Sequence, residues 1–209
     1  MTAVNILITP YYKTQSSERN IELDYVLKRN IESNIFDRII LFCDPNCIPP
    51  YQDQRIEIIS ATTRPTYLDF FNKGNNYPES IIVISNSDIF FDESINISEK
   101  YIKKKKRVLA LTRYEYFKVR DIFKDKMIMG CDSQDSWVYL SPINMNEMSI
   151  DFGLGIPGCD NRIAYELAKN YNVVNPSYSI KTYHYHESNY RNYIPENRLP
   201  GEYLQVHME

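Results

Sequence analysis

Long apolar runs are missing from this chain of 209 residues. None approaches the roughly 20 residues that cross a bilayer, which excludes a transmembrane helix. The opening residues Met1-Thr2-Ala3-Val4-Asn5 carry no basic region ahead of a short apolar stretch, which argues against a signal peptide. The four cysteines, Cys43, Cys47, Cys131 and Cys159, form no CxxC pair, and Cys43 and Cys47 have no second pair or histidine nearby. That pattern argues against a cysteine zinc site and reads as reduced, packed thiols of a cytoplasmic protein. No P-loop and no GxGxxG occurs, so a kinase or a dehydrogenase has no motif behind it. A net charge of -3 speaks against strong non-specific nucleic-acid binding. Glycine is scarce at 6 residues, yet Gly130, Gly153, Gly155 and Gly158 share one window. Glycine permits tight turns and close backbone approach, so that window draws attention.

What is present is a globular composition, 43% hydrophobic and 24% charged, with 18 tyrosines. The length predicts one domain over residues 1–209, compatible with a place in a longer multidomain chain. Val4 to Thr9 reads as a strand stopped by Pro10. Ser17 to Ile31 reads as a helix with Ile21, Leu23, Leu27 and Ile31 near one face. Strands are predicted at 38–43, 55–59, 81–84, 107–112, 172–174 and 180–186, and helices at 66–72 and 160–169. Alternating strands and helices predict an α/β fold with a largely parallel sheet. Uninterrupted runs such as Ile81-Ile82-Val83-Ile84 predict strands covered on both faces. Ligands of such sheets bind beyond the carboxyl ends of the strands.

Candidate chemistry gathers at those ends. Asn86 and Asp88, two positions apart after a buried strand, would share one side of extended backbone and suit a divalent cation bridging a diphosphate. The bland alternative is that Asp88 or Asp92 caps a turn or helix. His184 and His186 lie on one face of the predicted last strand, and neutral imidazole ligates Mn or Zn. The third histidine, His207, falls in a tail with no assigned role. Asp160, after Gly158-Cys159, is either a helix cap or a general base toward a hydroxyl. In either role the helix start is expected to lower its pKa. The stretch Gly130-Cys131-Asp132-Ser133-Gln134-Asp135-Ser136-Trp137 combines acids, amides and an aromatic face as sugar rings require, with core packing of Trp137 as the competing reading. Lys103 to Lys106 reads as solvated surface. Arg19 and Arg64, just beyond strand ends, are the better candidates for a diphosphate.

The segment Asn86-Ser87-Asp88-Ile89-Phe90-Phe91-Asp92 resembles the DxD region of GT-A-fold glycosyltransferases. Gly158-Cys159-Asp160 with its helix, then Tyr171 to Val174 and His184, is similar to their acceptor half. The likeness runs over about residues 4–190 and is nearest to the small glycosyltransferase domain of large algal DNA viruses and its bacterial and plant relatives. It implies a GT-A fold with a nucleotide-sugar half over about 1–112 and an acceptor half over about 113–209. It implies Mn2+ or Mg2+ held by Asp88 with His184 or His186, and a UDP-sugar donor held by Thr9, Tyr11, Arg19, Arg64, Asn86 and Ser87. Asp160 or Asp135 would engage the hydroxyl of a carbohydrate acceptor. The first DxD position is Asn86, which removes one negative charge from that site. The implied activity is hexosyl or deoxyhexosyl transfer, glucose or rhamnose type, in the cytoplasm, or a host's cytoplasm for a viral protein. A sugar-phosphate nucleotidyltransferase is one alternative, although Thr9-Pro10-Tyr11-Tyr12-Lys13 lacks the glycine-rich loop it would want. A non-catalytic carbohydrate-binding protein on the same fold is the other.

Overall fold

The computed structural model describes residues 4–103, 106–120, 122–128, 134–191 and 196–209. Gly130, Cys131, Asp132, Ser133, Lys104 and Lys105 lie outside the described residues. In chain order the elements are β1 (Asn5–Tyr11), α1 (Ser17–Glu32), β2 (Arg38–Cys43), β3 (Ile56–Ser60), α2 (Tyr67–Gly74), β4 (Ile81–Ser85) and β5 (Ile89–Phe91). After a 3-10 turn come α3 (Ser98–Ile102), β6 (Arg107–Thr112), β7 (Tyr114–Val119), β8 (Ile122–Met127) and β9 (Gln134–Leu140). The chain continues through α4 (Cys159–Ala168), β10 (Asn172–Val174) and β11 (Thr182–His184).

The seven-stranded sheet has the order β10-β6-β9-β4-β1-β2-β3. Only β9 runs antiparallel, between β4 and β6, so the sheet is mixed and mostly parallel. Ile6 and Ile8 pack with Tyr67, Phe70 and Phe71 of α2 and Ile163, Ala164 and Leu167 of α4. Leu7, Ile39 and Leu41 pack on the opposite face with Leu27 of α1 and Ile102 of α3. Both faces are therefore covered, which is why β1, β2 and β4 read as uninterrupted apolar runs. This is the mixed, mostly parallel α/β architecture expected from the sequence. Among the described residues no helix is long and apolar enough to cross a membrane.

Several local expectations change. The first strand is not stopped by Pro10 but pairs through it, Pro10 facing Phe42 and Tyr11 facing Cys43. Its pairing with β4 ends at Ile8, so the missing N–H lies past the doubly paired stretch. Ile21 is 68% exposed, and the buried face of α1 instead carries Arg19, Glu22, Leu23, Val26, Leu27 and Asn30. Two of those polar groups belong to an ion-pair network described below. Asn30 bonds the backbone of β5 at Ile89 O (2.9 Å) and Phe91 N (3.2 Å). Asp92 caps the 3-10 turn, accepting from Ser94 N at 2.9 Å, and its other oxygen accepts from the Tyr183 hydroxyl. Trp137 is fully buried in the sheet core against Tyr67, which rules out a stacking platform there.

A smaller sheet, ordered β5-β11-β7-β8, lies beside the large one. The last strand is shorter than expected and ends at His184. Its register sets His184 between Ile89 of β5 and Glu115 of β7. Tyr185 N then bonds Asp88 O at 3.0 Å. That pairing brings the end of β11 onto the loop after β4.

Candidate active site

Beyond the carboxyl ends of β1, β2, β3 and β4 lies a cleft of about 500 Å³. Tyr11, Arg19, Arg64, Asn86, Ser87, Asp88, Asp135, Asp160, His184 and His186 all line it. Thr9 does not: it is buried, its hydroxyl directed to Pro10 O. The Tyr11 hydroxyl donates to Asp24, so this phenol is already engaged. Arg64 lies along the glycine-rich turn, donating to Leu154 O (3.3 Å) and Gly155 O (3.2 Å). Gly155 and Gly158 have φ of +76° and +81°, a left-handed backbone that favours glycine. The turn they form places Cys159 and Asp160 at the start of α4.

At one end of the cleft Asp88, His184 and His186 offer a carboxylate oxygen and two ring nitrogens within 4.8 Å of one another. Asp88 Oδ2 is 3.2 Å from His184 Nε2 and 3.7 Å from His186 Nδ1. The other nitrogen of His184 is 2.8 Å from Glu115 Oε2. A carboxylate behind one ring nitrogen orients the imidazole and directs the other nitrogen to a metal. Chemically the set fits Mn2+, which accepts both oxygen and imidazole. The same Asp88 oxygen is also 2.5 Å from Arg19 Nη2. Burial alone would raise the Asp88 pKa, but the charges of His184 and Arg19 hold it well below the ordinary carboxylate range. Burial alone would lower His184, but Asp88 and Glu115 raise it to about 9. Burial, then the Arg19 charge, lowers His186 to about 4, so this ring is neutral at neutral pH.

Asn86 departs from expectation. Residues 86–88 turn rather than extend, with Ile89 N bonded to Asn86 O at 3.3 Å. Asn86 and Asp88 therefore serve different partners, and the Asn86 amide donates to Asp135 Oδ1 at 2.7 Å. Arg113 Nη1 holds the other Asp135 oxygen at 2.9 Å. Asp135 is thus a buried carboxyl fixed from both sides in the lining of the cleft. Asp160 also lines this part of the cleft and receives the Cys159 thiol at 3.2 Å. The helix start does not lower its pKa as expected. Burial, then the charge of Asp135, raises it to about 8. The N-cap position belongs to Gly158, so Asp160 is not the capping residue.

No family model matches the chain, and no curated protein does. The solved structures similar to it include HddC from Yersinia pseudotuberculosis, at 9% identity and a TM-score of 0.43, covering 66% of this chain and 76% of that one. They also include 4-diphosphocytidyl-2C-methyl-D-erythritol synthase from Anaerococcus prevotii DSM 20548, at 12% identity and a TM-score of 0.46, covering 86% of this chain and 91% of that one. Neither is named as a glycosyltransferase. At these TM-scores neither decides an activity for this chain.

The cleft and the side chains that hold its lining in place include residues that the sequence did not single out. Arg113 directly follows β6, so the strand-end rule could have found it. Glu22 stands three positions after Arg19 and bonds its Nη1 at 2.9 Å. That helical spacing was a usable signal. Glu115 had none, because only the β7–β11 register brings it to His184. Tyr190 and Arg191 reach the cleft from the segment after β11.

Proposed function

We propose that the chain is a divalent-metal-dependent glycosyltransferase moving a hexose or deoxyhexose from a UDP-sugar to a hydroxyl of a carbohydrate acceptor. One observation carries this reading. The cleft that holds the Asp88, His184 and His186 donor set also holds a carboxyl, Asp160, whose pKa is raised to about 8. A group with a pKa near the working pH is suited to take a proton from a hydroxyl.

In this reading Asp88, His184 and His186 hold Mn2+ or Mg2+, which supplies positive charge to a departing diphosphate. Arg64 and Ser87 face the nucleotide part of the cleft, in the half formed by residues 1–112. Asp160 takes the acceptor proton on a carboxylate oxygen. Burial, then the charge of Asp135, which Asn86 and Arg113 hold in place, keeps Asp160 a stronger base than an ordinary aspartate. Asp135 itself is therefore the weaker candidate for the base. With its pKa raised by burial and by the charge of Asp135, Asp160 is not fully ionised at neutral pH. Turnover then rises with pH until Asp160 has lost its proton. The free thiols of Cys43, Cys47 and Cys159 support a reducing, cytoplasmic setting.

Nucleotidyl transfer to a sugar phosphate is the second reading. It is favoured by Arg19, Arg64, Arg113 and Arg191 lining one cleft, a set that would suit a phosphorylated acceptor. It gives Asp160 no task, because a phosphate nucleophile arrives already ionised. The experiment is a product assay with Mn2+. A UDP-sugar panel with mixed glycan acceptors is expected to release UDP, and excess EDTA is expected to stop it. Pyrophosphate from a nucleoside triphosphate and a sugar phosphate, without UDP release, would transfer the assignment to the second reading. Tight sugar binding with neither product would leave a carbohydrate-binding protein.

A further inference from the structure

Asp88 Oδ2 has a resident cation. Arg19 Nη2 is 2.5 Å from it, closer than either imidazole, and both Arg19 and Asp88 are buried. A divalent ion held by Asp88, His184 and His186 would meet that guanidinium at short range, and two like charges in a buried site repel strongly. Asp88 is expected to favour one or the other. What Arg19 would do on leaving is set by its second partner. Its Nη1 is 2.9 Å from Glu22 Oε2. The Glu22 carboxylate is itself fixed, accepting from Glu187 N (2.9 Å), Ser188 N (2.6 Å) and the Ser188 hydroxyl (2.9 Å). Glu22 can therefore retain the guanidinium while Asp88 releases it, and Arg19 lines the cleft where an anion would lie.

We propose that Arg19 and a divalent cation exchange on Asp88, with Glu22 as the anchor that keeps Arg19 in place. The exchange frees one edge of the guanidinium for an anionic group of the nucleotide. This rests on the reading of Asp88, His184 and His186 as a divalent-cation site. Its consequence is coupling. The ion alone binds weakly, because it must break a buried ion pair. The ion with a diphosphate binds more tightly, because the displaced arginine gains a new anion.

The test is Mn2+ binding followed by the electron paramagnetic resonance of free Mn2+, with and without UDP. For the unaltered protein, UDP is expected to tighten Mn2+ binding at least about 10-fold. Arg19→Met is expected to bind Mn2+ alone at least about 10-fold more tightly than the unaltered protein, with the gain from UDP reduced to what direct contact between ion and diphosphate supplies. Because Arg19→Met leaves Glu22 buried without its cation, the pair Arg19→Met with Glu22→Gln is measured beside it, and thermal melts identify which variant is folded. Mn2+ affinity that is unchanged or weaker in the folded variant overturns the exchange. If no form binds Mn2+, the exchange and the metal part of the proposed function fall together. If the variant gains affinity while the unaltered protein transfers no sugar, the exchange stands and the proposed function fails.

Discussion

Asp88→Asn is expected to lower turnover by at least about 1000-fold, the loss that follows when several kcal/mol of charge stabilisation is removed from a transition state. Asparagine keeps the size of the side chain but removes the charge on which the donor set depends. A residue that merely follows a strand would tolerate such a change without loss of fold. The surroundings of Asp88 say otherwise. Asp88 is buried and pairs with both Arg19 and His184. Breaking a buried ion pair by removing one partner typically costs about 3–5 kcal/mol. Asp88→Ala and Asp88→Asn are therefore both expected to lose stability as well as turnover, the asparagine less because it keeps the size and an acceptor oxygen. The pH dependence follows from the sign of the shift. The folded pKa of Asp88 is depressed, so its contribution is present above the unfolded carboxylate pKa and is lost as pH falls toward the folded value. Melts of the two variants beside kcat separate folding from chemistry. Asp88→Asn with ordinary turnover would place the metal elsewhere.

Asp160→Asn is expected to lower kcat by at least about 100-fold, in line with general-base contributions, while donor affinity changes little. Its stability signature is opposite to that of Asp88. The folded pKa of Asp160 is raised to about 8 by burial and by Asp135. The folded protein therefore holds a proton that the unfolded chain has released. For such a group stability is fully present below the unfolded carboxylate pKa and is lost progressively as pH rises through the folded value. Asparagine does not titrate, so the melting temperature of Asp160→Asn is expected to gain on the unaltered protein between about pH 4 and pH 8. A variant that loses stability at every pH and keeps its rate per folded molecule would make Asp160 structural. A rate loss carried by Asp135→Asn alone would move the base there.

The central sheet was legible because burial on both faces leaves a simple signature. Ile39 to Phe42 and Ile81 to Ile84 are uninterrupted apolar runs, and both are strands. The helix expected over 66–72 is present as α2, and its start is fixed by Thr66, whose side chain and Asp69 exchange bonds with the backbone. Three features were hidden. Strand β5 is only three residues long and is completed by Asn30, a helix residue far away in sequence. Strand β9 enters the middle of the sheet, yet its Gln134-Asp135-Ser136 opening looks like a binding loop. The β7–β8 hairpin mixes aromatic and charged residues and is buried only at Tyr114, so it shows no clear buried face.

For the site, residue types were informative and partners were not. Asp88, His184 and His186 were all identified from spacing and strand ends, and the fold brings all three to one cleft. The Arg19–Asp88 ion pair spans 69 positions and exists only because α1 packs beside the β4–β5 turn. The raised pKa of Asp160 depends on Asp135 reaching the same cleft from β9. A helix-start argument saw only the local N–H groups and therefore gave the wrong sign.

The most direct test of the site is an anomalous-scattering map from crystals of the unaltered protein grown with Mn2+ and UDP. One manganese peak is expected within bonding distance of Asp88 and of His184 or His186, with the diphosphate beside it and Arg19 no longer on Asp88. A nucleotide bound elsewhere, or an Asp88–Arg19 pair unchanged with no manganese in the cleft, would contradict the account.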